Sequence, residues 1–301
     1  MRRWRSGPPY LGSAPRAASG KDYPHPGPSS GVPRHWLGCS GWAYDDWVGP
    51  FYPAGTPASE FLVRYARVFP TVEVDSSFYR SPAPSVIRRW ADRTPTGFRF
   101  SLKIPREVTH PTRGSDPEGT LARFLEGIRT LEGAGKLGPI VLQFPPSFRA
   151  RSESDRLVHL LGLVPRERAL AVELRHESWW TGATRRALES RGAALVWSVV
   201  PSARFPPWVT ADFLYLRWIG DRTLTRFDRL QRDASAEMEE MRHRLDEHGA
   251  AAATVYSYAN NHFMGFGPGT VAAWARTLGE DVPDLGRAAR APGQATLDRS
   301  P

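Results

Sequence analysis

From residue 35 to residue 279 the chain repeats one alternation, a short apolar run followed by a stretch with helical spacing. The runs are His35–Ser40, Thr71–Asp75, Phe98–Lys103, Ile140–Phe144, Leu170–Glu173, Ala194–Val199, Phe213–Arg217 and Ala253–Tyr258. Between and after them, apolar spacing predicts helices over Ala58–Phe69, Ser85–Asp92, Pro117–Leu131, Ser152–Leu161, Trp179–Ser190, Phe227–His248 and Pro268–Leu278. The sixth connection, Pro201–Ala211, is short and proline-rich, which predicts a weak or missing helix. Strands separated by helices pair in parallel, because a parallel neighbour is reached only through a crossover. Eight such units in about 245 residues match the size of a single closed (β/α)8 barrel of the TIM type, an α/β fold.

Composition narrows what surrounds that barrel. Residues 1–34 are rich in proline and glycine and lack apolar periodicity, so they read as a disordered basic arm, and 280–301 reads as a disordered tail. A single cysteine, Cys39, excludes a disulfide framework and multi-cysteine metal sites. No window reaches the ~18 consecutive apolar residues of a membrane span, and the basic start MRRWRSG has no apolar stretch behind it. The expectation is a soluble cytoplasmic protein with no membrane partner; oligomeric state is not legible. The formal net charge of +9 suggests a polyanion partner, yet residues 1–34 carry six basic residues against one acidic one. The excess therefore sits largely in the arm, which binds polyanions weakly and unspecifically. Within the 40 basic residues only Lys21, Lys103 and Lys136 are lysines.

Side chains alternate along a strand, so each run has two faces. Val72 and Val74 oppose Thr71, Glu73 and Asp75. Phe98, Phe100 and Leu102 oppose Arg99, Ser101 and Lys103. Ile140 and Leu142 oppose Val141 and Gln143. Leu170, Val172 and Leu174 oppose Ala171, Glu173 and Arg175, while Leu214 and Leu216 oppose Phe213, Tyr215 and Arg217. The apolar face of a barrel strand meets the helices, so the second face points to the axis. Its polar residues come late in their strands, which places them at the C-terminal mouth where such barrels keep their chemistry.

Separated blocks punctuate these strands: Gly38-Cys39-Ser40-Gly41-Trp42, Glu73-Val74-Asp75-Ser76-Ser77-Phe78-Tyr79-Arg80, Gly138-Pro139-Ile140-Val141-Leu142-Gln143-Phe144-Pro145-Pro146, Val172-Glu173-Leu174-Arg175-His176-Glu177-Ser178-Trp179, Tyr215-Leu216-Arg217 and Asn260-Asn261-His262. In this order they resemble the YecE-like proteins, the family catalogued as domain of unknown function 72, over about Trp36 to Leu278. The resemblance implies a TIM barrel and supplies no reaction. Barrels of this family are similar to sugar-isomerase and abasic-site endonuclease barrels, a likeness of fold that does not fix function. Three positions depart from the family pattern: Cys39 stands where Thr or a small residue is common, Asp75 where Asn is common, and Arg217-Trp218-Ile219-Gly220 lacks a His.

The mouth therefore gathers Glu73, Lys103 and Glu173 as candidate catalytic groups. Candidate substrate-binding residues are Trp42, Asp75, Tyr79, His110, Gln143, Arg175, Trp179, Arg217, Asn260, Asn261 and His262. Two carboxylates on separate strands can divide acid and base roles. Lys103, Arg175 and Arg217 supply positive charge for a carboxylate or phosphate, and Lys103, unlike arginine, can also lose its proton. Gln143 and the Asn pair suit hydroxyls or amides, and Trp42, Tyr79, Trp179 and Trp218 can form a stacking wall. No cofactor is predicted. A divalent metal would need His110, His176 or His262 with Glu173 or Asp75, whose spacing is scattered; His176 shares the outward parity of its strand and reads as a cap. Three classes stay open: an enzyme acting on a small polar, anionic or hydroxylated substrate by hydrolysis or isomerisation, a nucleic-acid reader, and a non-catalytic ligand-binding protein. Beside all three stands a purely structural Glu–Arg network filling the barrel.

Overall fold

A computed structural model describes residues 33–200, 205–220 and 222–288. Most of the predicted arm, 1–32, and the end of the predicted tail, 289–301, lie outside the described residues. Eight strands close into a barrel in sequence order: β1 Arg34–Ser40, β2 Thr71–Val74, β3 Arg99–Lys103, β4 Leu137–Gln143, β5 Leu170–Glu173, β6 Ala193–Val199, β7 Phe213–Trp218 and β8 Thr254–Ala259. Every pairing is parallel, including the seam between β1 and β8.

The strand faces fall as their alternation dictates. Val72, Val74, Phe100, Leu102, Ile140, Leu142, Val172, Leu214 and Leu216 join the large core between sheet and helices. A separate cluster of Val141, Ala171, Ala194, Val196, Phe213, Tyr215 and Tyr258 fills the barrel interior. Beneath the mouth, the Tyr258 hydroxyl bridges Thr71 Oγ1 at 2.7 Å and Ser101 Oγ at 2.8 Å, so the buried hydroxyls satisfy one another. Gly38 is required on the inward face of β1: a Cβ there would stand 2.2 Å from the Thr71 carbonyl oxygen.

Helix ends shift from the periodicity where local chemistry intervenes. The segment predicted over Pro117–Leu131 divides into Pro117–Gly127 and Arg129–Gly133, with Gly127 at the break. The helix predicted from Trp179 starts at Gly182, because Thr181 caps it by accepting the Thr184 N–H at 3.2 Å. The helix predicted from Phe227 starts at Ser235, whose N–H is held by the Asp233 carboxylate at 2.9 Å. β4 begins at Leu137, earlier than its apolar run. Its Pro139 sits where the pairing with β3 shifts register between Phe100 and Leu102, a place that tolerates a missing N–H. Residues 205–212 of the sixth connection carry no helix. After the last helix, Gly267–Leu278, a 3-10 turn spans Leu285–Ala288 and Leu285 packs against the core. Among the described residues no helix is long and apolar enough to cross a membrane.

Candidate functional site

Arg217, two residues from the inward Tyr215 on β7, is the centre of the mouth. Its Nη2 donates to Glu73 Oε1 at 2.7 Å and its Nε to the same oxygen at 3.2 Å. Its Nη1 donates to Glu173 Oε2 at 2.6 Å and to Gln143 Oε1 at 3.3 Å. Glu73 is completed by Ser40 Oγ at 2.9 Å and by the Tyr215 hydroxyl, which donates to Oε2 at 2.8 Å. On the outer side, Arg175 Nε donates to Glu173 Oε1 at 2.7 Å, and Lys103 Nζ lies 2.7 Å from Asp75 Oδ1. Asp75 also reaches Arg217 Nη2 at 3.4 Å. Three carboxylates, Glu73, Asp75 and Glu173, thus face three cations, Lys103, Arg175 and Arg217.

Burial and charge compete at Glu173, Asp75 and Arg217. Burial alone would raise the Glu173 carboxyl, but the Arg217, Arg175 and Lys103 charges and the Arg175 hydrogen bond hold it at about 2. The same contest at Asp75, between burial and the charges of Lys103 and Arg217, ends below the usual carboxylate range. Burial and the Glu73 carboxylate push the Tyr215 hydroxyl up, so it stays a donor. Burial works against the Arg217 charge, yet Glu73, Glu173 and Asp75 raise its proton affinity well above the ordinary value.

Glu73, Asp75, Lys103, Gln143, Glu173, Arg175 and Arg217 are therefore brought into one chain of contacts. Ser40 and Tyr215 belong to it too, each inside a sequence block yet not among the candidate site residues; inward parity, two positions before Arg217, is the signal for Tyr215. Ser198 is a further omission. It follows Ala194 and Val196 on the inward face of β6 and pairs with Arg217 in the register. Its Oγ is buried and has no hydrogen-bond partner among the described residues.

The predicted stacking wall does not form. Trp179 is 1% exposed, stacked on Phe148, with its indole N–H given to the Phe148 carbonyl at 2.8 Å. Trp218 is equally buried against Trp274. Trp42 packs edge-on to Trp90 and Phe100 on the outer side of the sheet. Tyr79 alone of the four stands out, 65% exposed beside Phe78. The residues after β8 do structural work: Asn261 Oδ1 accepts from Trp47 Nε1 at 3.2 Å and from the Gly267 N–H at 2.8 Å. Asn260 caps by accepting the His262 N–H at 3.0 Å, and the His262 ring meets the Leu224 carbonyl at 2.9 Å. Gly220 lets the loop after β7 pass there, since a Cβ would lie 2.2 Å from the His262 carbonyl oxygen. His176 is a cap, accepting the Ser178 N–H at 3.1 Å. His110 lies on the mouth rim, edge-on to Phe78 at 5.4 Å. Among the described residues no three His, Cys, Asp or Glu side chains group as metal ligands. A groove of about 760 Å³, lined by Arg99, Glu132 and Arg168, opens at the opposite, N-terminal end of β3 and β4. That end of such barrels serves stability.

A closed eight-stranded parallel barrel with ionisable groups from four strands converging on its C-terminal end defines a TIM-barrel protein with a polar mouth site. The chain belongs to the family described as "Protein of unknown function DUF72", whose profile matches residues 36–296. It is 30% identical over 157 residues to the UPF0759 protein YecE of Escherichia coli K12, an alignment covering 52% of this chain and 54% of that one. It is 29% identical over 154 residues to the UPF0759 protein YunF of Bacillus subtilis, covering 48% and 52%. The matched region thus spans about half the length of these relatives. The crystal structure of a DUF72 family protein from Thermotoga maritima superposes with a TM-score of 0.71 at 27% identity, over 82% of this chain and 100% of that one. A DUF72 family protein from Enterococcus faecalis, at 20% identity and a TM-score of 0.69 over 84% and 100%, shares the fold.

Proposed function

We propose that the protein is an enzyme acting at the C-terminal mouth on a small polar substrate, anionic or hydroxylated, by carboxylate-driven hydrolysis or isomerisation. The observation that carries this reading is the gradient of exposure along the network. The side chains of Glu73, Glu173 and Arg217 are sealed at 0%, 1% and 3%, whereas Asp75 and Arg175 are 28% and 30% exposed. An incoming ligand therefore meets Asp75 and Arg175 first, Lys103 lies behind them at 8% exposure, and the inner ions hold them in place. The orphan hydroxyl of Ser198 at the level of Arg217 is a second group suited to a ligand.

Sequence alone places the chemistry on Glu73, Glu173 and Lys103. With Glu173 held ionised by two guanidinium groups, an acid role for it is unsupported, and we assign Glu73 and Glu173 to positioning and electrostatic stabilisation. Lys103 stays in a chemical role, with Asp75 as its partner. In the free protein the Lys103 ammonium suppresses the basicity of Asp75. A substrate oxygen that takes over the ammonium releases the carboxylate, whose proton affinity then rises. Asp75 can then accept a proton from a water, hydroxyl or carbon acid, while Lys103 stabilises the negative charge that develops.

Native mass spectrometry of the purified protein, followed by turnover assays on the metabolites it carries, tests the reading. Asp75→Asn and Lys103→Met each abolish turnover while cooperative urea unfolding persists, at a midpoint lowered by the loss of their ion pair. Retained turnover in both variants, or loss of the fold in both, refutes it.

A further inference from the structure

We propose that the groove at the N-terminal end of the barrel is a second ligand site, built for an organic carboxylate with an apolar body whose charged end meets Arg99. It is separate from the mouth, because β3 starts at Arg99 and ends at Lys103, at opposite ends of one strand. A volume of about 760 Å³ is the size of a small-molecule site and far more than a packing defect. Three arginines line it, and two of them are answered. Arg129 lies 3.2 Å from Glu126, and Arg168 gives its Nε and Nη2 to Glu132. The third acidic lining residue, Glu167, faces Arg191, whose proton affinity burial and Arg166 lower and Glu167 raises. Arg99 remains: its Nη1 donates to the Gly135 carbonyl, and it makes no ion pair among the described residues.

The surroundings of Arg99 add to its charge. Its Cζ stands 5.6 Å from the centre of the Trp36 ring, and the Cζ of Arg34 stands 4.3 Å from the same ring. That indole, 5% exposed, also stacks on Tyr256 at 6.0 Å. Two guanidinium groups thus share one buried ring, and Arg34 too makes no ion pair among the described residues. Burial lowers the proton affinity of Arg34, and the Arg99 charge lowers it further against the pull of Tyr256. Such a local excess of positive charge favours an anion. A second feature asks for an acceptor. The Arg168 side chain is 9% exposed, and its Nη1 has no hydrogen-bond partner among the described residues. A buried N–H without an acceptor is costly, and an oxygen brought in by a ligand removes that cost. Leu125, Leu137 and Pro165 supply apolar wall to the same groove. A bare inorganic ion would leave that wall wet, whereas a carboxylate with an apolar body covers it and answers the arginines together.

The test is isothermal titration of the full-length protein at neutral pH and fixed ionic strength with octanoate, octanol, octylammonium and acetate. Octanoate binds, and the other three bind at least tenfold more weakly, since each lacks either the charge or the body. Arg99→Gln weakens octanoate by about tenfold, the scale of one charge-assisted contact. Ala122→Trp, at an exposed wall position on the helix Pro117–Gly127, fills the groove and abolishes binding while leaving every charge in place. Lys103→Met, at the mouth, leaves octanoate affinity unchanged. Octanol binding as tightly as octanoate, or no octanoate binding at all, overturns the site. So does octanoate affinity that survives Ala122→Trp, and affinity that falls in Lys103→Met places the anion at the mouth instead. Should Arg99→Gln lose cooperative urea unfolding, Ala122→Trp decides by itself.

Discussion

Replacing Arg217 with methionine removes the cation that touches both Glu73 and Glu173 and keeps most of the buried volume. Breaking a buried ion pair by deleting one partner costs about 3–5 kcal/mol, because the remaining charge stays desolvated. Part of that cost can be sized from Glu173. Its carboxyl sits at about 2 against an ordinary 4.5, and at about 1.4 kcal/mol per pH unit its positive surroundings contribute about 3 kcal/mol at neutral pH. Arg217 is the largest favourable charge in that sum. The sign follows from linkage. A carboxyl whose affinity is depressed by folding stabilises the protein above its unfolded value of 4.5, and that contribution disappears as pH falls toward 2. The gap between the native protein and Arg217→Met, measured by urea unfolding, should therefore be about 3 kcal/mol or more at pH 7. It should narrow progressively from about pH 4.5 downward, as far as the proteins stay folded. Adding Glu173→Gln to Arg217→Met removes one stranded charge and should recover about 1–2 kcal/mol at pH 7. A gap that is the same at pH 7 and pH 3.5, with no recovery in the double variant, would refute the account of the mouth as a charge-compensated network.

Four further outcomes follow from the same geometry. Glu173→Gln should abolish turnover and lower stability by about 1–3 kcal/mol while the fold persists; collapse of the circular dichroism spectrum would instead mark Glu173 as purely architectural. Tyr215→Phe strips one donor from a sealed carboxylate and should cost about 1–3 kcal/mol in urea unfolding, with the gap unchanged between pH 6 and pH 8 because the hydroxyl stays protonated there. Ser198→Ala removes a hydroxyl that holds no bond among the described residues, so stability should stay within about 0.5 kcal/mol or rise, while affinity for the ligand found by mass spectrometry falls. Trp179→Ala should cost about 3–5 kcal/mol in thermal and urea unfolding, and Trp179→Phe should keep ligand affinity intact, because the indole packs on Phe148 away from the mouth.

Strand parity carried most of what could be read in advance. Once the apolar faces of β2, β3, β5 and β7 are assigned, period-two alternation alone sends Glu73, Lys103, Glu173 and Arg217 to the same end of one axis. The same rule covers Tyr215 and Ser198, neither of which carries a charge to single it out as a candidate. Loops lack a period, and there sequence reading loses its grip. Trp179, Trp42 and Asn261 have the residue types of a binding wall, yet their partners, Phe148, Trp90 and Trp47, come from other loops and helices whose approach no local pattern encodes. Helix starts moved for a related reason: Thr181 and Asp233 fix them by single hydrogen bonds, which outweigh the apolar spacing that continues upstream.

The seam of the barrel has a consequence for how the site comes into being. β1 and β8 are paired from Arg34 with Thr254 through to Cys39 with Ala259, so the last closure joins segments from opposite ends of the domain. The mouth shares this long reach: Glu73 meets Arg217 across 144 positions, and Trp47 meets Asn261 across 214. Contacts of such separation form late and slowly, because the chain must surrender its loop entropy before any of them is gained. During synthesis the early half would carry Glu73 without the arginine that compensates it, beside the Asp75–Lys103 pair, an ionic half-site exposed to solvent. The mouth is thus assembled by barrel closure itself, and a chain stopped before β8 should show helices by circular dichroism yet no cooperative unfolding.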